Sequence, residues 1–455
     1  MIPDTDKTIA AIATPSGRGA LGVIRIAGPS AISIAGRMLK LASGKPLAAC
    51  PPQSVRRADA VDFEGQTIDD VLVTVFRAPR SYTGDDIVEI SAHGGPITLR
   101  KILTAVFGAG AHAAQPGEFT FRAFLNGKMD LAQAEAVADL IGAETDTAAK
   151  LALRQQSGSL SKKVLEIRET ILGVLALIEA SIDFPEDIGD LDTVYCFGEL
   201  TRALEAIQHV LKTADAGILY REGARIVLAG RPNVGKSTLM NALLRVGRAI
   251  VTPIPGTTRD VLEEGFSLRG IPLRAVDTAG IRETEDPVEH IGVQRSREAI
   301  NRADLVLLVL DSTTGWTDDD RKVQEAIGSK PHLILWNKAD LGTASHADSG
   351  DLHVSAETGL HLEDLEKRLA DLLMNGEVVS DDADEVVVTH VRHREALRSA
   401  AKALEQSLES LADGLPSDFI SIDVHGSLFA LGEITGITTG EDIINEIFAR
   451  FCIGK

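Results

Sequence analysis

Through the first 118 residues, short apolar runs of strand length alternate with polar turns. Thr8 to Ala13, Leu21 to Ile26, Val71 to Phe76 and Ile87 to Ile90 are predicted as strands. Ser30 to Leu41 has helical periodicity, with Ser30 as a candidate cap, and Gly95-Pro96 opens a second helix from Ile97 to Phe107. From about Phe119 the period lengthens. Leu131 to Ile141 is alanine-rich and helical; the pattern runs on to Gln156, resumes from Leu160 to Ile182, and is broken at Phe184-Pro185-Glu186. A further helix is expected from Phe197 to Thr213. Between 218 and 378 strands and helices alternate, which predicts a mostly parallel sheet. After the acidic stretch Ser380 to Glu385, helices are expected at Arg392 to Leu411, Asp418 to Leu431 and Asp442 to Arg450.

These patterns describe a multidomain α/β chain. An N-terminal α/β domain covers 1–118. A helical bundle is split into halves at 119–217 and 379–455. A P-loop domain with a mostly parallel sheet, 218–378, is inserted between those halves, an arrangement that exposed loops tolerate well because domain termini often lie close together.

Composition narrows the picture only slightly. The chain has 455 residues, more than one ordinary core holds, with 44% hydrophobic and 25% charged residues. No apolar run approaches the length of a membrane span, and the start of the chain lacks the basic-then-apolar pattern of a signal peptide. The three cysteines, Cys50, Cys196 and Cys452, are far apart, so a reducing cytoplasm is expected rather than a disulfide framework. A net charge of −20 argues against a generic polyanion binder but leaves room for a nucleic acid met on a local patch.

Chemistry concentrates in the inserted domain. Gly230-Arg231-Pro232-Asn233-Val234-Gly235-Lys236-Ser237-Thr238 follows the apolar run Ile226 to Ala229 and precedes a helix. Strand, glycine loop and helix N-terminus together make a phosphate cradle, with Lys236 for the terminal phosphates and the Ser237 hydroxyl for magnesium. Thr252-Pro253-Ile254-Pro255-Gly256-Thr257-Thr258 is a loop suited to close over a nucleotide, and a threonine there can be a second magnesium ligand. Asp277-Thr278-Ala279-Gly280 ends a strand, where the aspartate can hold a magnesium-bound water and the Gly280 N–H can sense the terminal phosphate. Asn337-Lys338-Ala339-Asp340 supplies a carboxylate for two guanine N–H groups, and Ser355-Ala356 a backbone N–H for the guanine carbonyl. The four motifs downstream of the phosphate loop, in this order, predict GTP as the nucleotide, and the set resembles the translation-factor class of GTPases. Ile281 stands where Ras-like proteins carry the glutamine that orients the attacking water, so either hydrolysis is very slow or another group supplies that function.

Outside this domain, Arg25 interrupts one apolar strand and Glu89 another, and His93-Gly94-Gly95 follows the second. By alternation alone either charge could face solvent. With no partner at ligand spacing, His93 is expected to be a turn or core histidine rather than a metal ligand.

The whole chain resembles the tRNA-modification GTPase family called MnmE or TrmE. The likeness is carried by the GTPase motifs, the helical flanks, Phe119-Thr120-Phe121-Arg122-Ala123-Phe124-Leu125-Asn126-Gly127-Lys128, and the terminal Phe451-Cys452-Ile453-Gly454-Lys455. Era-like and EngA-like GTPases share the nucleotide motifs but carry a KH-type RNA module or a tandem GTPase domain, neither of which is visible here; an Era-like regulator of ribosome assembly is the alternative.

The resemblance implies an N-terminal domain that binds a 5-formyl-tetrahydrofolate-type ligand through Arg25, Glu89, Lys128 and Lys455, and that makes a homodimer. It implies activation by potassium held by Asn233, Thr252, Ile254 and Thr257, magnesium held by Ser237 and Thr258, and Glu289 as the water-orienting carboxylate. It also implies a flavin-dependent partner subunit of the MnmG or GidA type. With that partner the protein would act on the wobble uridine of certain tRNAs, adding a carboxymethylaminomethyl or aminomethyl group at the uracil ring. Cys452 matches the family's cysteine near the C-terminus. It could be a reactive thiol, while its apolar neighbours Phe451 and Ile453 suit a small buried residue.

Overall fold

The computed structural model describes residues 4–184, 186, 191–246, 248–249, 263–277, 298–342, 351–374 and 385–455. The chain divides into two compact units, Met1–Ala138 with Phe429–Lys455, and Asp139–Leu428.

The first unit is built on a seven-stranded sheet. Its strands are β1 (Ile9–Ile12), β2 (Leu21–Ala27), β3 (Leu39–Leu41), β4 (Val55–Val61), β5 (Thr67–Phe76), β6 (Ile87–His93) and β7 (His112–Ala113). They lie in the order β3-β4-β5-β6-β2-β1-β7, and every neighbouring pair is antiparallel except β1 with β7. Ile24, Ile26, Val71, Val73, Val75, Val88 and Ile90 point from these strands into one core with Ile102 and Val106 of the helix Pro96–Gly108.

The expected helix from Ser30 to Leu41 is shorter than its pattern. It spans Ala31–Met38, and Leu39–Leu41 forms β3, because strand pairing with β4 satisfies a backbone that a last helical turn would leave open. Ser30 occupies the N-cap position but its side chain makes no capping hydrogen bond. His93 is neither a turn nor a core residue. It ends β6 at the surface, with its Nδ1 2.8 Å from Asp69 Oδ1.

The helical pattern from Leu131 to Gln156 is two helices, Leu131–Gly142 and Asp146–Gln156, because Thr145 takes extended geometry and its hydroxyl accepts from the Ala148 N–H as an N-cap. In the second unit, the helix Ser159–Asp183 buries Leu160, Val164, Ile167, Ile171, Val174, Leu175 and Ile178, a stripe at three- and four-residue spacing. It packs on Thr193–Leu211, which packs in turn on Val391–Ala412. A helix not expected from the sequence, Ala214–Glu222, leads into the second sheet.

The second sheet contains β8 (Ala224–Ala229), β9 (Arg248–Ala249), β10 (Glu263–Leu268), β11 (Ile271–Asp277), β12 (Leu305–Asp311), β13 (His332–Asn337) and β14 (Leu352–His353). Their order is β14-β13-β12-β8-β11-β10-β9. The five strands from β14 to β11 run parallel, and β10 and β9 are added antiparallel. All seven residues of β12 are buried, as a strand covered on both faces requires. The phosphate loop follows β8 and the Asn337 motif ends β13, so both emerge at carboxyl ends of parallel strands, where ligands of such sheets bind. Among the described residues no helix is long and apolar enough to cross a membrane, and no three His, Cys, Asp or Glu side chains form a group able to hold a metal ion.

Candidate functional site

The phosphate loop joins β8 to the helix Lys236–Val246. Gly230 has φ +149°, and a Cβ there would lie 2.4 Å from the Val309 carbonyl oxygen; Gly235 has φ +96°, and a Cβ there would lie 2.3 Å from Asn337 Nδ2. Both positions therefore exclude a side chain. Asn233, between them, also takes a left-handed backbone although it carries a side chain, with φ +65°. The loop carbonyls are turned onto fixed donors. Lys236 Nζ donates to the oxygens of Gly230 (2.7 Å) and Arg231 (2.9 Å). Asn337 Nδ2 donates to Val234 (2.8 Å), and Lys338 Nζ to Asn233 (2.7 Å). A planar trans peptide directs the following N–H to the opposite side, so the Val234 and Gly235 N–H groups turn away from those donors, as an anion cradle needs.

Lys236 is buried, whereas Asn233, Ser237 and Thr238 are exposed at the loop rim and the first helical turn. Asn337 is buried and links three places: besides holding Val234, its Oδ1 accepts from the Ala356 N–H at 3.0 Å. Asp340 is exposed in the short 3₁₀ turn Ala339–Leu341, free of burial and open to a base edge. Ser355 is buried; its N–H donates to Leu360 O, and its Oγ accepts from Thr358 N. The N–H groups of Ser355 and Ala356 thus both have protein acceptors in this structure, a commitment that the motif alone did not reveal.

Lys338 Nζ also lies 2.7 Å from Asp311 Oδ2 at the end of β12. Burial pushes the Asp311 carboxyl up, but hydrogen bonds from Lys338 and Thr313 outweigh it and hold the group below the usual carboxylate range. Asp277 closes β11 as the sequence indicated. Thr252, Pro253, Ile254, Pro255, Gly256, Thr257, Thr258, Thr278, Ala279, Gly280, Ile281 and Glu289 lie outside the described residues.

The second candidate site belongs to the first unit. Arg25 of β2 and Glu89 of β6 are direct cross-strand partners. Arg25 Nε donates to Glu89 Oε1 at 2.9 Å, and its second nitrogen lies 2.8 Å from the same oxygen. The guanidinium sits 5.4 Å from the Tyr82 ring centroid and 5.6 Å from that of Phe119, and it donates to the Gly454 carbonyl at 3.5 Å. With 16% and 27% of their side chains exposed, the pair is neither the solvent-facing pair that alternation allows nor fully sealed.

The chain end reaches this pair because Gly454, at φ +97°, passes so close to β1 that a Cβ would lie 2.6 Å from the Ile12 carbonyl. The Phe119 N–H donates to the Lys455 carbonyl at 3.2 Å, which brings Lys455 to the same place. The exposed Lys128 donates from Nζ to Pro79 O at 3.0 Å. Tyr82, Phe119 and Gly454 were not picked out from the sequence as site residues; an aromatic within the quoted Phe119–Lys128 stretch was the available signal. Burial raises the Tyr82 hydroxyl above its usual range against the opposing hydrogen bond with Thr120.

Cys452 is exposed, against the buried reading of its flanks. Phe451 turns into the cluster of Phe121, Phe124 and Phe448, while Cys452 and Ile453 after it are both exposed.

The family described as GTP-binding protein TrmE N-terminus matches residues 8–128, and the family described as MnmE helical domain matches residues 131–452. The tRNA modification GTPase MnmE of Desulforamulus reducens is 46% identical over 99% of this chain and 100% of that protein. The proteins of the same name from Alkaliphilus metalliredigens and Moorella thermoacetica are 45% and 43% identical over 99% of this chain, covering 99% and 100% of their own lengths. Among solved structures, an Era variant from Aquifex aeolicus bound to GDP.AlF4- is 27% identical, covering 40% of this chain and 66% of that one with a TM-score of 0.27. With near-complete coverage at this identity, the chain belongs to the MnmE (TrmE) family of tRNA modification GTPases.

Proposed function

We propose that this protein is a GTP hydrolase acting in tRNA modification. The observation that carries the reading is the phosphate loop, whose carbonyls are bound by Lys236, Lys338 and Asn337 beside the exposed Asp340, in a chain 46% identical end to end to a tRNA modification GTPase. GTP binds with its phosphates on the loop and its base at Asp340, and magnesium supplies charge compensation for the phosphates. The exposed Ser237 hydroxyl in the first turn of the loop helix fits a magnesium ligand, with Thr258 as the second. Asn233 is exposed at the rim with a left-handed backbone, which suits a potassium ligand shared with Thr252, Ile254 and Thr257. Glu289 orients the attacking water in place of the missing glutamine.

The protein is a homodimer of the cytoplasm. It works with a flavin-dependent partner on the wobble uridine of tRNA, adding an aminomethyl or carboxymethylaminomethyl group at the uracil ring. A 5-formyl-tetrahydrofolate-type ligand uses Arg25, Glu89, Lys128 and Lys455. The half-buried guanidinium and carboxylate beside two aromatic rings suit a polar heterocycle with an anionic tail.

The test is a GTPase assay in potassium against sodium, together with mass spectrometry of tRNA nucleosides from a deletion strain. Faster turnover in potassium and loss of the modified wobble uridine are expected. Equal rates sink the potassium role, and normal nucleosides sink the tRNA role in favour of an Era-like regulator. Glu289→Ala is expected to lower kcat with nucleotide affinity nearly intact; greatly weakened binding refutes the water-orienting role.

A further inference from the structure

Two carboxylates outside every nucleotide motif grip the phosphate loop from one neighbouring segment, residues 311–320. At its start, Asp311 Oδ2 lies 2.7 Å from Lys338 Nζ, which donates to Asn233 O. Asn233 is in left-handed geometry, a strained choice for a residue with a side chain, and it persists only where the surroundings hold it. At the segment's other end, Asp320 is fully buried. Its Oδ2 accepts from the Thr317 N–H (3.1 Å) and hydroxyl (2.6 Å), closing a capping box on the helix Asp318–Ile327. Among the described residues its Oδ1 has no hydrogen bond; it faces Arg231 Nε at 3.6 Å, while another Arg231 nitrogen donates to Thr314 Oγ1. The Arg231 carbonyl is one of the two that take Lys236 Nζ.

We propose that Asp311 and Asp320 are positioning residues for the phosphate loop, acting through Lys338 and Arg231. The proposal rests on the GTP reading of that loop. A buried carboxylate opposite a guanidinium fixes the side chain that it faces, because leaving either charge unpaired is costly. Asp320 thereby sets the peptide plane whose oxygen receives Lys236, and Asp311 sets the plane at Asn233. Neither acid touches nucleotide. Each keeps the N–H groups of the loop aimed before the ligand arrives, which lowers the ordering cost of binding.

The test measures binding of a fluorescent GDP analogue to the full chain, alongside thermal melting without nucleotide and GTP turnover. Asp311→Asn and Asp320→Asn are expected to weaken the analogue about tenfold each, with kcat at saturating GTP within about twofold of wild type. Arg231→Gln, on a partly exposed side chain, covers the case in which Asp320→Asn fails to fold. Combined with Asp320→Asn it is expected to weaken binding no more than either change alone. Wild-type affinity in the folded variants overturns the proposal, as does additivity of the Arg231 and Asp320 changes. Affinity loss that only tracks a fall in melting temperature also overturns it, in favour of a general structural role. If folded wild-type protein binds no guanine nucleotide, the GTP reading itself has failed.

Discussion

The phosphate loop and the Arg25 pair are two ways of building a polar site. Two of the loop's four carbonyl contacts are made within residues 230–238, and the other two come from Asn337 and Lys338, at and just after the end of a strand in the same sheet. The Arg25 site needs β2, β6, the Tyr82 and Phe119 rings and a carbonyl from residue 454, 429 positions along the chain. The first is a turn of backbone that glycines allow and that three side chains, Lys236, Asn337 and Lys338, hold by its carbonyls. The second fixes one guanidinium with side chains and a chain terminus, so its geometry depends on the tertiary fold.

The largest effect that separates the two sites is Lys236→Ala. GTP turnover is expected to fall by about 100-fold or more, because the ammonium orients two loop carbonyls and, in the proposed function, meets the phosphates. A folate-type ligand titrated into the same variant is expected to bind as in wild type; parallel loss of both activities breaks the distinction.

Next is Arg25→Ala, which leaves Glu89 half-buried without its guanidinium. A loss of about 1–3 kcal/mol in denaturant unfolding of the first unit is expected, together with loss of folate-type binding and unchanged GDP affinity. Unchanged folate-type affinity removes Arg25 from that site.

A third ion-paired group asks whether long-range pairs matter generally. Asp139 Oδ1 accepts from Arg221 Nε, and Oδ2 pairs with His390 Nε2, each at 2.7 Å. Burial pushes the Asp139 carboxyl up, but its bond to His390 and the Arg221 charge outweigh it and leave it below 3.8. A carboxylate with a lowered native pKa stabilises the fold above its unfolded value, and that stability is lost as pH falls through the native value. Asp139→Asn is therefore expected to be destabilised near neutral pH and to show a shallower loss of stability below pH 3.8 than wild type, read by denaturant melts across pH. Parallel curves would show that the pair is inert. The smallest effect is expected for Cys452→Ser, since the thiol is exposed: the melting temperature is expected to stay unchanged, and a large drop would mean that the thiol packs after all.

The regular parts of this fold were legible because their patterns are local. The stripe from Leu160 to Ile178 needs only a period of 3.6 residues, and the parallel sheet only alternation of strands and helices. The β3 strand, the break at Thr145 and the helix Ala214–Glu222 were less legible. In the first, helical periodicity competed with pairing to β4; in the second, it competed with a local cap, Thr145 on the Ala148 N–H. The phosphate loop was readable residue by residue, while Asp311 and Asp320 were not, since nothing in their spacing shows which cation each meets.

The sequence by itself pointed to a phosphate-binding loop, because glycine spacing, the lysine and the flanking strand and helix act over a few residues, and the Asn337–Asp340 motif added the guanine reading. It also determined the family, because the motifs recur in order over the whole length. The tertiary structure decided that Arg25 meets Glu89, two aromatic rings and the chain terminus, that Cys452 faces outward, and that two acids stand behind the loop. Those outcomes depend on which distant side chains share a desolvated space, and burial and pairing are properties of the folded chain.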